Sequence, residues 1–167
     1  MSTRCAMVVM SKEFYGGKNG DSKTQEVLRA YRHCDGYPEG MGLDIAWSCM
    51  MADEWPNEGV EWLNKNNRNW CQAFLHFIMR PKADIEVEPM GCEHGDVEYL
   101  YVVEGTRDLS WGKVPVESYD INIKVYSPSE WDEDYSKIMK EGLIFDGNWK
   151  DMIEWLGVSE EKLRGDE

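Results

Sequence analysis

Basic residues are scarce in this sequence. Its 18 Lys and Arg stand against 32 Asp and Glu, which gives a formal net charge of −14. Nucleic-acid affinity depends on Lys and Arg that displace counterions from phosphates, and anionic lipids attract the same cations. We therefore do not expect this protein to bind free DNA or RNA, or to dock on a membrane.

Long apolar runs are also missing. No stretch of about 18 uncharged apolar residues occurs, so a transmembrane helix is excluded on length. The first residues, "MSTRCAMVVMSKEFYGG", lack the longer apolar core and the small-residue cleavage site of a secretory signal. We expect a cytoplasmic protein.

Cysteines are few and widely spaced. The five of them show no two-residue spacing of the kind found in zinc knuckles and redox motifs. In a reducing compartment we expect buried thiols that pack like small hydrophobic side chains. The positions are Cys5, Cys34, Cys49, Cys71 and Cys92.

Complete catalytic motifs are lacking as well. The chain has neither a Gly-x-Ser-x-Gly elbow nor a His-Glu-x-x-His pair, and no lysine follows its glycine-rich turn as in a phosphate-binding loop. A mechanism needs a nucleophile, a base and an orienting group together. We therefore predict no catalytic residues and no cofactor, and favour a protein that is not an enzyme.

The apolar pattern predicts one α+β domain over residues 1–167. Hydrophobic residues form 42% of the chain, and their period changes between two and about 3.6. Strands are predicted at 3–10, 26–33, 84–89, 96–105 and 118–126, the first two as a hairpin and the fourth inside the sheet. Helices are predicted at 40–52, 60–63, 70–80 and 128–142, and a last helix is predicted to begin after an N-cap at Asp146. The segment "LIF" at 143–145 could form a short strand. The expected fold is a mainly antiparallel sheet of about five strands packed with helices, as a single domain.

The stretch "AYRHCDGYPEGMG", residues 30–42, is a candidate site. Gly36 is expected to take a positive φ, and "YPEG" fits a type I turn that leads into a helix. Such a turn accounts for most of the spacing without any function. The side chains left over as candidate binding residues are Arg32, His33, Asp35 and Tyr37.

Two further features are candidates for contacts. In "GCEHG", Cys92 and His94 would face one way if extended, and His33 with Cys34 would add two more ligands that zinc prefers. Neither pair has a usual ligand spacing, so we predict no metal site. Trp111 is predicted on a loop between strands, where an aromatic side chain favours a partner contact.

The acidic residues are concentrated near the C-terminus. Residues 128–167 contain 12 Asp and Glu but only 5 Lys and Arg. The negative potential of this segment favours a partner with a basic surface, because opposite potentials accelerate association. The alternative is that the acidic residues only keep the protein soluble. The candidate acidic face contains Asp132, Glu133 and Asp134.

The segments "MSTR" (1–4) and "YRHCDGYPEGMG" (31–42) resemble a family of small uncharacterised proteins of phages and bacterial accessory genomes. The similar positions are Tyr31, His33, Asp35, Gly36 and Tyr37, and Cys34 stands where many relatives have tryptophan. "DVEYLYVV" (96–103) is similar to a Tyr-x-Tyr strand of the same family. The resemblance implies a phage or mobile-element protein that acts in the host cytoplasm.

These observations lead to a functional hypothesis with two alternatives. By analogy, the protein is an acidic, non-enzymatic inhibitor that occupies a basic surface of a host-encoded nucleic-acid-handling or defence complex, as anti-CRISPR proteins do. The first alternative is a small enzyme or ligand-binding domain that uses Arg32, His33, Asp35 and Tyr37, with or without a metal. The second is an oligomeric structural component.

Overall fold

The computed structural model describes residues 3–14, 22–54, 70–80, 84–108, 121–128 and 134–165. Within these residues, six strands and five α-helices follow one another along the chain. Their bounds are β1 Cys5–Phe14, β2 Ser22–Arg32, α1 Leu43–Glu54, α2 Trp70–Ile78, β3 Glu86–Glu88, β4 Tyr99–Asp108, β5 Ile121–Tyr126, α3 Tyr135–Glu141, β6 Leu143–Gly147, α4 Trp149–Trp155 and α5 Glu160–Arg164. The predicted helix at 60–63 lies outside the described residues.

One mixed sheet contains all six strands, in the order β3-β2-β1-β4-β5-β6. Only β1 and β4 run parallel, whereas the other neighbouring pairs are antiparallel. The predicted α+β class with a mainly antiparallel sheet is confirmed, and so are the β1–β2 pairing and the interior position of β4. The sheet has one strand more than the five expected, because the short apolar segment at 143 pairs with β5 as an edge strand.

Helices pack on both faces of the sheet. On the first face, α1, α2 and α4 cover alternate strand residues, among them Cys5, Met7 and Val103. On the second face, α3 packs over the residues between them, such as Ala6 and Val8. The alternation follows from the pleat, which sends successive side chains of a strand to opposite faces. The fold is therefore a single α+β domain with a larger core on one side.

Side-chain caps fix the helix starts near the C-terminus. Asp134 accepts a hydrogen bond from the backbone N–H of Ser136 at 2.9 Å and so caps α3. The predicted N-cap of α4, Asp146, is wrong, because Asn148 accepts from the backbone N–H groups of Lys150 and Asp151 instead. The reason is the extension of β6 to Gly147, which keeps Asp146 in the sheet. None of the described helices is both long and apolar enough to cross a bilayer.

Candidate functional site

The turn after β2 is built on close backbone contacts. The positive φ expected at Gly36 occurs at Asp35 instead, with φ of 57°, a conformation that aspartate tolerates. Gly36 is needed for a different reason, because a Cβ there would lie 2.8 Å from backbone atoms of Arg4 and Cys5. The Tyr101 hydroxyl donates to the Gly36 carbonyl at 2.8 Å and fixes the turn to β4.

The predicted "YPEG" turn closes with its expected hydrogen bond. The Gly40 N–H donates to the Tyr37 carbonyl at 2.9 Å, and the Met41 N–H donates to the Asp35 carbonyl at 3.0 Å. A short π-helix, Pro38–Gly42, then leads into α1. A Cβ at Gly40 would lie 2.3 Å from the Asp35 carbonyl oxygen. The glycine at this position is therefore explained by packing of the turn.

The Arg32 side chain is held inside the fold by an ion pair with Asp44. Its guanidinium is buried on the α1 side and contacts Asp44 at 2.7 Å. Arg80 holds the other carboxylate oxygen of Asp44 at 2.5 Å and lies over the Trp47 ring. Within the part of the chain that the structure describes, the Arg32 Nε has no hydrogen-bond partner. The arrangement ties the end of β2 to α1 and to the residues that follow α2.

His33 lies on the opposite face of the sheet from Arg32. It is exposed, its Nε2 is 3.5 Å from a Glu86 carboxylate oxygen, and its ring meets the edge of Tyr31. Neighbouring strand residues alternate in direction, which separates the two side chains. Asp35 and Tyr37 are exposed on the turn itself. The fold thus does not bring the four candidate residues together as one constellation.

A different set of side chains converges beside Tyr31. Ligand atoms of Glu88, Cys92 and His94 all lie within 4.8 Å of one another. His94 Nε2 is 2.5 Å from Glu88 Oε1 and 3.9 Å from Cys92 Sγ, and its ring stacks on Tyr31 with centroids 4.1 Å apart. We call these three residues the EHC cluster. His33 and Cys34, which the sequence offered as partners of Cys92 and His94, are not members of this cluster.

The other predicted contact residues fall into two groups. Trp111, Asp132 and Glu133 lie outside the described residues. Asp134 is described, and its carboxylate is engaged as the cap of α3. A substitution at Asp134 would consequently change the stability of the helix as well as the surface charge.

The sheet edge at β6 exposes apolar side chains that the sequence did not single out. Leu143 is 49% exposed and Ile144 is 43% exposed, and a bulge in the β5–β6 pairing lies beside them. Met139 of α3 and Trp155 of α4, which stacks on Phe145, are exposed on the elements before and after β6. We call Leu143 and Ile144 the β6 face, and Met139 and Trp155 flank it on helices that cover opposite sides of the sheet. The spread of these four residues over a helix, a strand and a second helix explains why no single periodicity revealed them.

The buried ionisable groups are held in their protonated forms. Burial raises the pKa of the Cys5 thiol to about 12 and that of Cys71 to about 11. Burial also raises the pKa of Tyr31 and of Tyr135 to about 12, with a further contribution from Asp96 at Tyr31. The thiolate is the nucleophilic and metal-binding form, so these raised pKa values keep Cys5 and Cys71 as thiols at neutral pH. The expectation of buried thiols is confirmed for them and for Cys49, but it is wrong for Cys34, which is exposed, and for Cys92, which is partly exposed.

Comparison with known proteins gives no similar protein for this chain. No family model matches it, and no match is found among curated proteins or among solved structures.

Proposed function

We propose that this protein is a binding protein that docks the β6 face on a basic surface of a partner protein. The observation that carries the proposal is the exposure of Leu143 and Ile144 at the end of the sheet, in a chain with a net charge of −14. Apolar groups at the centre of an interface supply affinity, and a surrounding charged rim supplies orientation and encounter rate.

Charge complementarity supports a basic partner. Exposed carboxylates lie on β6 and on the helices before and after it, namely Asp146, Glu141 and Glu154. The wider segment from 128 to 167 has 12 acidic and 5 basic residues. Opposite potentials raise association rates, and the gain falls as salt screens the charges.

The partner we propose is a host-encoded, nucleic-acid-handling protein, including defence complexes of the CRISPR type. Such proteins have basic surfaces because they hold phosphate backbones. An acidic protein that occupies this surface excludes nucleic acid from it, so the activity we propose is inhibition by competition. The family resemblance at residues 31–42 motivates the phage or mobile-element setting.

A capture experiment with matched edge variants tests this proposal. The immobilised protein is exposed to a bacterial lysate at low and at high salt, and retained proteins are identified by mass spectrometry. One variant carries Leu143→Lys and Ile144→Lys, and the control carries Val87→Lys at the opposite edge strand β3, where the valine is 57% exposed. We expect basic proteins that are retained at low salt, released at high salt and lost only from the β6 variant.

Association kinetics with the captured protein provide the second measurement. Asp132→Lys with Glu133→Lys should slow association roughly 10-fold at low salt, because the steering field is weakened. Asp134 is left unchanged, since it caps α3. Retention that is insensitive to salt, or equal loss from the Val87→Lys control, would overturn the proposal.

The turn at residues 32–37 is not favoured as a second functional centre. Arg32 and His33 lie on opposite sides of the sheet, and Arg32 is paired with Asp44. This alternative also allowed a bound metal ion, but the side chains that converge as potential metal ligands are those of the EHC cluster.

A further inference from the structure

The EHC cluster combines the three side-chain types that bind zinc most often. Glu88 supplies a carboxylate oxygen, Cys92 a sulfur and His94 its Nε2 atom. Zinc takes thiolate, imidazole and carboxylate ligands at about 2.3, 2.0 and 2.1 Å, in tetrahedral geometry. This cluster is independent of the β6 face, which lies at the other edge of the sheet.

The ligand atoms lie near the spacing that one zinc ion requires, and one pair is too close. Tetrahedral angles at those bond lengths place sulfur and nitrogen about 3.6 Å apart, and nitrogen and oxygen about 3.4 Å apart. The Cys92 Sγ to His94 Nε2 distance is already 3.9 Å. The His94 Nε2 to Glu88 Oε1 distance, 2.5 Å, is that of a hydrogen bond. An ion that replaces this hydrogen bond needs the two atoms to separate by roughly 1 Å.

A tight turn brings the ligands together. Glu88 ends β3, and the Cys92 N–H then donates to the Pro89 carbonyl at 3.1 Å, which closes a β-turn. Gly91, the third residue of this turn, has φ of +82°, the value that a type II turn requires there. The turn reverses the chain so that Cys92 and His94 face back to Glu88.

Neighbouring groups hold the ligand residues in place. The Arg29 guanidinium donates to the Cys92 carbonyl at 2.6 Å, and the Tyr135 hydroxyl accepts from the His94 N–H at 3.1 Å. Tyr31 stacks on the His94 ring. Such outer contacts orient metal ligands and raise affinity, because less freedom is lost on binding.

The local charge also favours a cation. Arg29 is neutralised by Glu26, whose two carboxylate oxygens accept from it at 2.7 and 3.0 Å. Glu93 lies 3.5 Å from the same guanidinium. The guanidinium is therefore paired with carboxylates other than Glu88, and the side chains of Glu88 and His94 are only partly exposed, at 15% and 29%.

We propose that Glu88, Cys92 and His94 bind one Zn²⁺ ion and that the ion fastens the segment after β3 to the sheet. On binding, the Cys92 thiol releases its proton to solvent and coordinates as thiolate, while His94 coordinates as neutral imidazole. The fourth position of the tetrahedron is open to water. The proposed role is stabilisation of the β3 edge by ligation.

Cobalt substitution tests the site directly. Co²⁺ titrated into the wild-type protein should give one equivalent of binding with an intense thiolate charge-transfer absorption. Cys92→Ser should abolish that absorption, and His94→Ala and Glu88→Gln should weaken binding at least about 100-fold. The matched controls are exposed residues of the same types outside the cluster: Cys34→Ser, His33→Ala and Glu86→Gln.

A second measurement needs no variant. Zn²⁺ should slow alkylation of Cys92 at least about 10-fold, as followed by mass spectrometry, because a coordinated thiolate is shielded. Cys34 on the same molecule is exposed and should react at an unchanged rate. The proposal is overturned by wild-type protein without charge-transfer absorption, by a Cys92 rate unaffected by zinc, or by equal loss of binding in the controls.

Discussion

At the scale of single residues, several notable positions in the sequence are explained by packing. Glycine is required at positions 36 and 40, because nearby backbone atoms leave no space for a Cβ. Arg32 is a buried cation matched by Asp44, and breaking such a pair from one side leaves an uncompensated charge. His33 and Cys34, by contrast, are exposed. The stretch at residues 30–42, which resembles a functional site in the sequence, is mainly the connection between β2 and α1.

We predict that Gly40→Ala destabilises the protein by about 2–3 kcal/mol. Its Cβ would lie 2.3 Å from the Asp35 carbonyl oxygen, so backbone must move. Gly91→Ala is the control: its φ is positive but no atom lies within 4 Å of the added Cβ, so only about 1 kcal/mol is expected. Urea unfolding with a metal chelator present measures both, and equal losses would contradict the packing argument.

At the scale of elements, short helices near the C-terminus depend on their caps. The described length of α3 and of α4 is seven residues each, too short for a helix to be stable in isolation. Asn148 and Asp151 form a capping box at the start of α4. Helix α4 places Trp149 and Met152 in the core, so the stability of this helix also supports the β6 edge.

Asn148→Ala should lower the free energy of unfolding by about 1 kcal/mol, because two backbone N–H groups lose their acceptor. Asn148→Ser retains an oxygen acceptor and should remain close to wild type. Denaturant unfolding of both variants gives the comparison. A loss in the serine variant as large as that in alanine would indicate that the cap is unimportant.

At the scale of the whole molecule, the sheet has two unlike edges. Both edges expose apolar side chains, Val87 and Met90 at or beside β3 and Leu143 and Ile144 at β6, but among the described residues the ligand atoms of the EHC cluster collect at β3. Short edge strands with a bulge or flanking charges also limit aggregation. The molecule therefore places a candidate metal site and a candidate docking surface at opposite edges of one sheet.

Buried tyrosines give the whole fold a dependence on alkaline pH. The pKa of Tyr31 and of Tyr135 is about 12 in the folded protein, whereas an unfolded tyrosine ionises at about 10. The unfolded state therefore loses protons first. The stabilisation is fully present below pH of about 10 and is lost as the pH rises towards about 12.

Urea unfolding at a series of pH values tests this dependence. Between pH of about 10 and 12, we expect the free energy of unfolding to fall steadily, and Tyr31→Phe should make the fall shallower by removing one ionising group. Tyrosinate absorbance reports the ionisation itself. A slope that Tyr31→Phe leaves unchanged would show that Tyr31 does not contribute.

The sequence alone determined the α+β class, most element positions and the hydrogen bond that closes the turn at residues 37–40. These depend on local periodicity and on turn chemistry, which neighbours in the chain decide. The β1–β4 pairing, the bulged edge at β6 and the meeting of Glu88 with Cys92 and His94 were decided by tertiary structure. The first two depend on which strands pair although they are far apart in the sequence, and the third depends on the chain reversal at Gly91. The spacing of hydrophobic residues along the chain contains no information about either.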